Sequence, residues 1–182
     1  MNSLAYDMHL MTNSGNIDRS ASSYLSSGEQ DTKAIKTAAL RLLARREYSR
    51  LELYRRLSQR FSNIEVIQDV LANLSDEGYQ SDARFAESFI RSKVSAGNGP
   101  FKIKIALREK GICESTALSA FDRLNIDWIE VIDRVFAKRF GVNDSFQAGN
   151  QHERQQALAK QVRYLKNKGF YQEHIEAVID PS

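Results

Sequence analysis

The sequence is first informative for what it contains little of. Its 182 residues include one cysteine, Cys113, together with two prolines and one tryptophan. A single cysteine excludes an internal disulfide and fits a reducing compartment, so the expected location is cytoplasmic. Cysteine is a small side chain that commonly packs in apolar surroundings, so we predict a half-buried residue at Cys113, with a reactive thiol as the alternative.

Segments that would place the chain in or across a membrane are also lacking. No apolar run approaches the roughly 18 residues that a membrane span requires. The first residues, MNSLAYDMHLM, have neither a basic start nor the long apolar stretch of a secretion signal. The composition, 42% hydrophobic and 27% charged, is that of a globular protein, and we expect no membrane contact.

Motifs for catalysis and for cofactor binding are missing as well. The sequence has no glycine-rich phosphate loop, no paired histidines at metal-ligand spacing and no cysteine pair. The three histidines, His9, His152 and His174, stand far apart, and an isolated histidine is more often a surface or packing residue than a ligand. We expect no catalytic residue, no metal site and no cofactor.

Charge is distributed unevenly along the chain. Residues 1–32 carry one arginine and four acidic residues, a net charge of −3. The rest carries 25 basic and 19 acidic residues, a net charge of +6. Residues 33–60 alone contain nine Lys or Arg and two Glu. Such a local excess indicates a polyanionic partner or an acidic protein surface.

The hydrophobic pattern divides the chain into a tail and three units. Residues 1–31 are rich in Ser, Asn and Gly without a lasting hydrophobic period, which predicts a mobile polar tail; a short helix near Leu4 to Leu10 is the alternative within it. From Thr32 onward, apolar residues recur at helical spacing. We predict three three-helix repeats, at 32–78, 79–125 and 126–182, with an inserted loop at 141–151.

The repeats are visible as fixed shifts between the units. A shift of fifty places Leu57 on Leu107, and a further shift of fifty-eight places Leu107 on Leu165. The same shifts align the apolar positions of the third helix of each unit, and they place Gly111 on Gly169. Repetition at this period is typical of a helical array, so the predicted fold is all-α, three tandem three-helix repeats forming an elongated curved body.

One segment also fits a strand. The residues FKIKIAL at 101–107 alternate apolar and polar side chains, which is the pattern of a half-buried strand. The counterparts at 51–57 and 159–165 fit helices better, and Pro100 suits the first turn of a helix. We therefore predict a helix here.

Basic residues concentrate on the middle helix of every unit. Two explanations need no binding partner. Cations near a helix C-terminus are stabilised by the helix dipole, and many of the other basic residues can simply form a solvated face. Both explanations remain open beside a binding function. The binding alternative is a basic stripe along the array that contacts phosphates or acidic side chains. This candidate stripe consists of Arg41, Arg45, Arg46, Arg50, Arg55, Arg56, Lys102, Lys104, Arg108, Lys160, Arg163 and Lys166.

Residues 33–180 resemble the RecX regulatory proteins of bacteria. The resemblance is carried by ALRLLARREYSRLELYRRL at 39–57, LSDEGYQSDARFAESFIRSK at 74–93, GNGPFKIKIALREKGI at 97–112 and KQVRYLKNKGF at 160–170. It implies tandem three-helix repeats. It also implies a regulator in DNA repair, recombination and the SOS response that binds the RecA recombinase filament on single-stranded DNA and restrains its strand exchange and ATPase activity without chemistry of its own.

A different class of function stays open. The second and third helices of a unit resemble a helix-turn-helix pair, so a direct nucleic-acid-binding repeat protein is the alternative. Against it, the third helices are expected to start with carboxylates such as Glu65, Glu114 and Glu173, which phosphates would repel. We expect a monomer whose partner is the RecA filament, with direct DNA contact as the second hypothesis.

Overall fold

The structure is a computed structural model that describes residues 17–141 and 150–179, with side chains from residue 29 onward. The described residues form helices and contain no strand. The helices are α1 Ile17–Leu43, α2 Arg50–Leu57, α3 Ile64–Asp76, α4 Asp82–Ser95, α5 Pro100–Glu109, α6 Glu114–Leu124, α7 Trp128–Phe140, α8 Gln151–Lys168 and α9 Gln172–Ile179.

The helices group into three units, α1–α3, α4–α6 and α7–α9. Every pair of helices that packs extensively in the described part belongs to one unit, and the first and third helices of each unit lie against each other. Each unit has a core of its own, and two of the positions aligned by the sequence shifts are buried in all three units. These positions are Leu57, Leu107 and Leu165 on the middle helices and Ile67, Ala117 and Ile175 on the third helices. The predicted fold class, an all-α array of three tandem three-helix repeats, is confirmed.

Short polar side chains cap the starts of α2, α3 and α4. The Ser49 hydroxyl accepts a hydrogen bond from the Glu52 backbone N–H at 3.1 Å. Asn63 caps α3 through the N–H of Val66 at 3.2 Å, and Ser81 caps α4. Each cap satisfies one of the N–H groups that a helix start leaves without an internal partner.

The segment at 101–107 is helical, as predicted from its counterparts. Its buried side chains are Ile103 and Leu107, four residues apart on one face of α5. Phe101 and Ile105, which produce the alternating pattern, are 54% and 38% exposed instead of buried. The pattern therefore arose from apolar residues on the surface of a helix, not from a strand with one buried face.

The first helix starts earlier than expected, at Ile17 rather than at Thr32, so residues 17–31 of the predicted tail are helical. Residues 29–34 are all exposed, and an exposed stretch of helix needs no apolar period, which is why the pattern did not reveal it. Residues 1–16, with the segment from Leu4 to Leu10, lie outside the described residues. The same holds for 142–149 within the predicted loop.

Candidate functional site

The described part of the chain holds no cluster of three or more His, Cys, Asp or Glu that could bind a metal ion. His152 is exposed next to Gln156, and His174 lies against the ring of Trp128 at a centroid distance of 6.2 Å. Burial lowers the pKa of His174 despite the opposing charge of Glu173. None of the described helices is both long and apolar enough to cross a membrane.

Cys113 is exposed, so the prediction of a half-buried packing residue was wrong. It occupies the N-cap position of α6, where its sulfur lies 3.3 Å from Ser115 Oγ and 3.0 Å from Thr116 Oγ1. These hydrogen bonds lower the pKa of the thiol to about 7. Its neighbour Ile112 fills the apolar position of the turn, which leaves Cys113 pointing to solvent.

The middle helices of neighbouring units meet end to end. We call the contact between units 1 and 2 joint 1 and the contact between units 2 and 3 joint 2. In joint 2, the backbone N–H of Gly99 donates to the carbonyl of Lys168 at 2.7 Å, and that of Phe101 donates to the carbonyl of Gly169 at 3.0 Å. The amino end of α5 thus takes its hydrogen-bond partners from the carboxyl end of α8, and opposite ends of two helix dipoles meet.

Joint 1 connects the equivalent helix ends, the start of α2 and the end of α5. The Ser49 hydroxyl donates to the carbonyl of Lys110 at 2.7 Å, and Lys110 is the counterpart of Lys168. Gly111, at φ +80°, lies against the side chain of Leu51, as Gly169, at φ +89°, lies against Lys102. The first unit has Phe61 at this repeat position instead of a glycine. The two aligned glycines are therefore docking points for the preceding unit as well as helix caps.

A network of charged and polar groups surrounds joint 1. Glu52 pairs with Lys110 at 2.7 Å and with Arg46 at 3.0 Å. Nearby, Arg84 pairs with Glu47 at 2.8 Å. The Glu52 side chain is only 12% exposed. Its burial would raise the pKa of this carboxyl, but the hydrogen bonds and charges of Lys110 and Arg46 outweigh it, so the pKa lies below its ordinary value.

The residues of the candidate basic stripe are all exposed. Arg41 lies in the last turn of α1, Arg45 and Arg46 lie between α1 and α2, and the other nine lie on the middle helices. On α2 these are Arg50, Arg55 and Arg56; on α5, Lys102, Lys104 and Arg108; on α8, Lys160, Arg163 and Lys166. Because joints 1 and 2 connect α2, α5 and α8 in series, the structure places these cations on connected helices.

Arg46 differs from the other members of the stripe. Its guanidinium lies 3.6 Å from the centroid of the Tyr48 ring while it pairs with Glu52. It is the only stripe residue with an ion-pair partner among the described residues. Arg46 therefore belongs to joint 1, a role that the sequence pattern did not reveal. A signal was present, because Glu52 stands at the repeat position that Lys102 and Lys160 occupy in the other units.

Family comparisons match two of the three units. Residues 36–74 match the RecX first three-helix domain, and residues 81–120 match the RecX second three-helix domain. These ranges coincide with the cores of α1–α3 and α4–α6.

Individual relatives extend the similarity over most of the chain. A regulatory protein RecX of Halorhodospira halophila is 36% identical over 146 residues, which cover 80% of this chain and 86% of that protein. One of Chromohalobacter salexigens is 43% identical over 132 residues, 72% of this chain and 82% of that protein. The crystal structure of RecX from Lactobacillus salivarius superposes with a TM-score of 0.71 at 24% identity, covering 84% of this chain and 97% of that one, which supports the fold.

Proposed function

This chain belongs to the RecX family of regulatory proteins, and from that premise we propose that it binds the RecA recombinase filament on single-stranded DNA and restrains its strand exchange and ATPase activity. The observation that carries the proposal is the connected series of middle helices with unpaired, exposed cations. Such a series suits a partner that repeats along its length and presents acidic groups at intervals.

The mechanism follows from many weak contacts. An exposed ion pair contributes roughly 0–1 kcal/mol. Cations on three linked units gain by acting together, because the first contact raises the effective concentration of the next. Binding of this kind needs no catalytic residue. It would act by occupying the filament and opposing its rearrangement.

Direct binding to nucleic acid is the rival function, and the third helices count against it. Glu65, Glu114 and Glu173 lie in the first turns of α3, α6 and α9, where a recognition helix would meet phosphates. All three side chains are exposed. The cations on the middle helices could still attract phosphate without base reading, so bare single-stranded DNA is the comparison that any test requires.

The sharpest test uses Arg55 and Arg163, which occupy the same repeat position in units 1 and 3. Each single change to glutamate should weaken inhibition of RecA's DNA-dependent ATP hydrolysis only modestly, by about fivefold or less. Arg55→Glu combined with Arg163→Glu should weaken it by more than about tenfold, because two linked contacts are lost together.

The matched control reverses two exposed cations outside the stripe. Lys33→Glu combined with Arg134→Glu changes the net charge equally and should leave inhibition near that of the parent. If the folded stripe variant inhibits as well as the parent, the stripe is a solvated face and does not contribute to binding. A parent that neither binds nor inhibits RecA filaments at low salt would contradict the proposed function itself.

A further inference from the structure

Unit 2 differs from the other two units at the surface between its second and third helices. Ile105 on α5 and Leu118 on α6 are 38% and 43% exposed and line the same groove. At the position of Ile105, units 1 and 3 carry Arg55 and Arg163. At the position of Leu118 they carry the exposed polar residues Gln68 and Glu176. Only unit 2 therefore places apolar side chains at both positions, and the other two units show which polar residues the fold accepts there.

The groove has the size and lining of a side-chain pocket. Its volume is about 220 Å³, and its lining consists of Lys104, Ile105, Arg108, Ile112, Glu114, Ala117 and Leu118. A dry apolar cavity of about 150 Å³ is enough to hold a benzene molecule. The groove can therefore take one large apolar side chain from outside.

The charges at its rim define what can approach. On the α5 side stand Lys104 and Arg108, for which the described residues supply no ion-pair partner. The Lys104 ammonium is held 5.8 Å from the ring centroid of Phe121 and 5.7 Å from that of Tyr171. An incoming segment with carboxylates on this side would be attracted, because opposite charges across an interface steer the approach of a partner.

We propose that this groove is a docking site for a segment of the protein partner that inserts an apolar side chain between Ile105 and Leu118 and sets carboxylates beside Lys104 and Arg108. The proposal rests on the proposed function, since it adds a specific contact with the same filament. A nucleic acid fits the groove poorly. The apolar lining is aliphatic and offers no ring for a base to stack on.

The test converts unit 2 to the residues of unit 1, with Ile105→Arg and Leu118→Gln separately and together. Both are residues that a sister unit carries at that position, so the fold should be retained, with circular dichroism as the check. Binding of the full chain is measured to RecA filaments on a single-stranded oligonucleotide and, in parallel, to the bare oligonucleotide. Controls are Ile129→Arg and Ile64→Gln, which alter equally exposed apolar residues outside the groove.

Ile105→Arg distinguishes apolar docking in the groove from general electrostatic attraction, because it adds a positive charge to the basic stripe while it removes apolar surface from the groove. We expect filament binding to fall roughly tenfold in the double variant while the controls stay near the parent. Binding to the bare oligonucleotide should stay equal or increase. Filament binding that is unchanged or stronger in Ile105→Arg would overturn the proposal. An equal loss of binding to the bare oligonucleotide would also overturn it. The same holds if light scattering shows that the parent is a dimer and that the variant is not.

The only cysteine of the chain gives a second readout. Cys113 is exposed and lies between two groove residues, Ile112 and Glu114. Saturating filaments should slow its labelling by a maleimide in the parent, and unchanged labelling would contradict docking at this site. If the parent does not bind filaments at all, the proposed function fails and the docking site falls with it. If the parent binds but the groove variants bind equally well, only the docking site fails.

Discussion

Joint 1 and joint 2 connect the same helix ends through different chemistry. Joint 1 relies on side chains, with Ser49 on a backbone carbonyl and Glu52 between two cations. The cores of units 1 and 2 share no hydrophobic residue in the described part. Joint 2 relies on backbone hydrogen bonds, and no ion pair crosses it among the described residues. The cores of units 2 and 3 share Val94, Ile126 and Trp128.

The comparison indicates that units 2 and 3 form the more tightly coupled pair. Backbone hydrogen bonds and shared apolar contacts respond little to salt or pH. Ion pairs with partly exposed partners weaken when the salt concentration rises and when the pH falls far enough to protonate the carboxylate. A repeat array can keep one joint geometry while its side chains set how firmly each pair of units is held. We therefore expect unit 1 to separate first when conditions weaken charges, and three sets of variants test this difference.

The largest effect should come from Gly169→Ala in joint 2. A Cβ at Gly169 would lie 2.4 Å from the Cβ of Lys102 and 2.7 Å from its backbone nitrogen, and φ is +89°. Backbone strain and overlap together should cost about 3 kcal/mol of unfolding free energy. Urea denaturation measures this loss of unfolding free energy.

Gly78→Ala is the control, since φ there is +75° and a Cβ meets nothing within 4 Å. This substitution should cost about 1 kcal/mol of unfolding free energy. Equal losses would mean that joint 2 is not tightly packed.

A smaller effect is expected from Gly111→Ala in joint 1. Here φ is +80°, and the added Cβ would lie 2.8 Å from the Cβ of Leu51 and 2.9 Å from its Cδ2. Part of the Leu51 side chain can rotate away, which a backbone cannot do, so the loss should be about 2 kcal/mol. The same denaturation series gives the value. A loss larger than that of Gly169→Ala would reverse the order of the two joints.

The smallest effect is expected from Glu52→Gln, and it should depend on pH. Because the folded pKa of Glu52 lies below its ordinary value of 4.5, the stabilisation is fully present above that value and is lost as pH falls through the folded pKa. At neutral pH the change should cost at most about 1 kcal/mol, since Lys110 and Arg46 are partly exposed.

The measurement for Glu52 compares urea denaturation of the variant and the parent at neutral pH and below the folded pKa. The difference between them should vanish at the lower pH. Glu109→Gln, on the exposed face of α5, is the matched control for the loss of one carboxylate. A difference that persists at low pH would assign the effect to packing instead of charge.

Much of the fold could be predicted from the sequence because its signals are local. Helical spacing of apolar residues and capping side chains such as Ser49 and Ser81 involve only neighbouring residues, and the repeat shifts compare one such local pattern with the next. The prediction fell short where a helix carries no apolar face, as at residues 29–34, and where a side chain's environment depends on another unit, as at Arg46. Both depend on what packs against the residue, which a single helix pattern does not contain.

The candidate site was predictable in part for the same reason. The positions of the cations on the middle helices followed from periodicity, and their exposure agrees with that placement. Their role in binding stays a prediction. The groove was hidden in the alternating pattern of 101–107, because Ile105 looks like any other apolar residue until Leu118 is seen opposite it.

The sequence by itself determined the helices, their caps and the glycines that end them, since these depend on residues within a few turns of one another, and the repetition of the pattern at shifts of fifty and fifty-eight indicated three units. Only the tertiary structure decided how the units connect, which cation is used within a joint, and which apolar residues are left uncovered. Gly111 and Gly169 show the physical reason. A glycine at positive φ ends a helix by local geometry, but its missing side chain matters most because the helix of another unit lies where a Cβ would be.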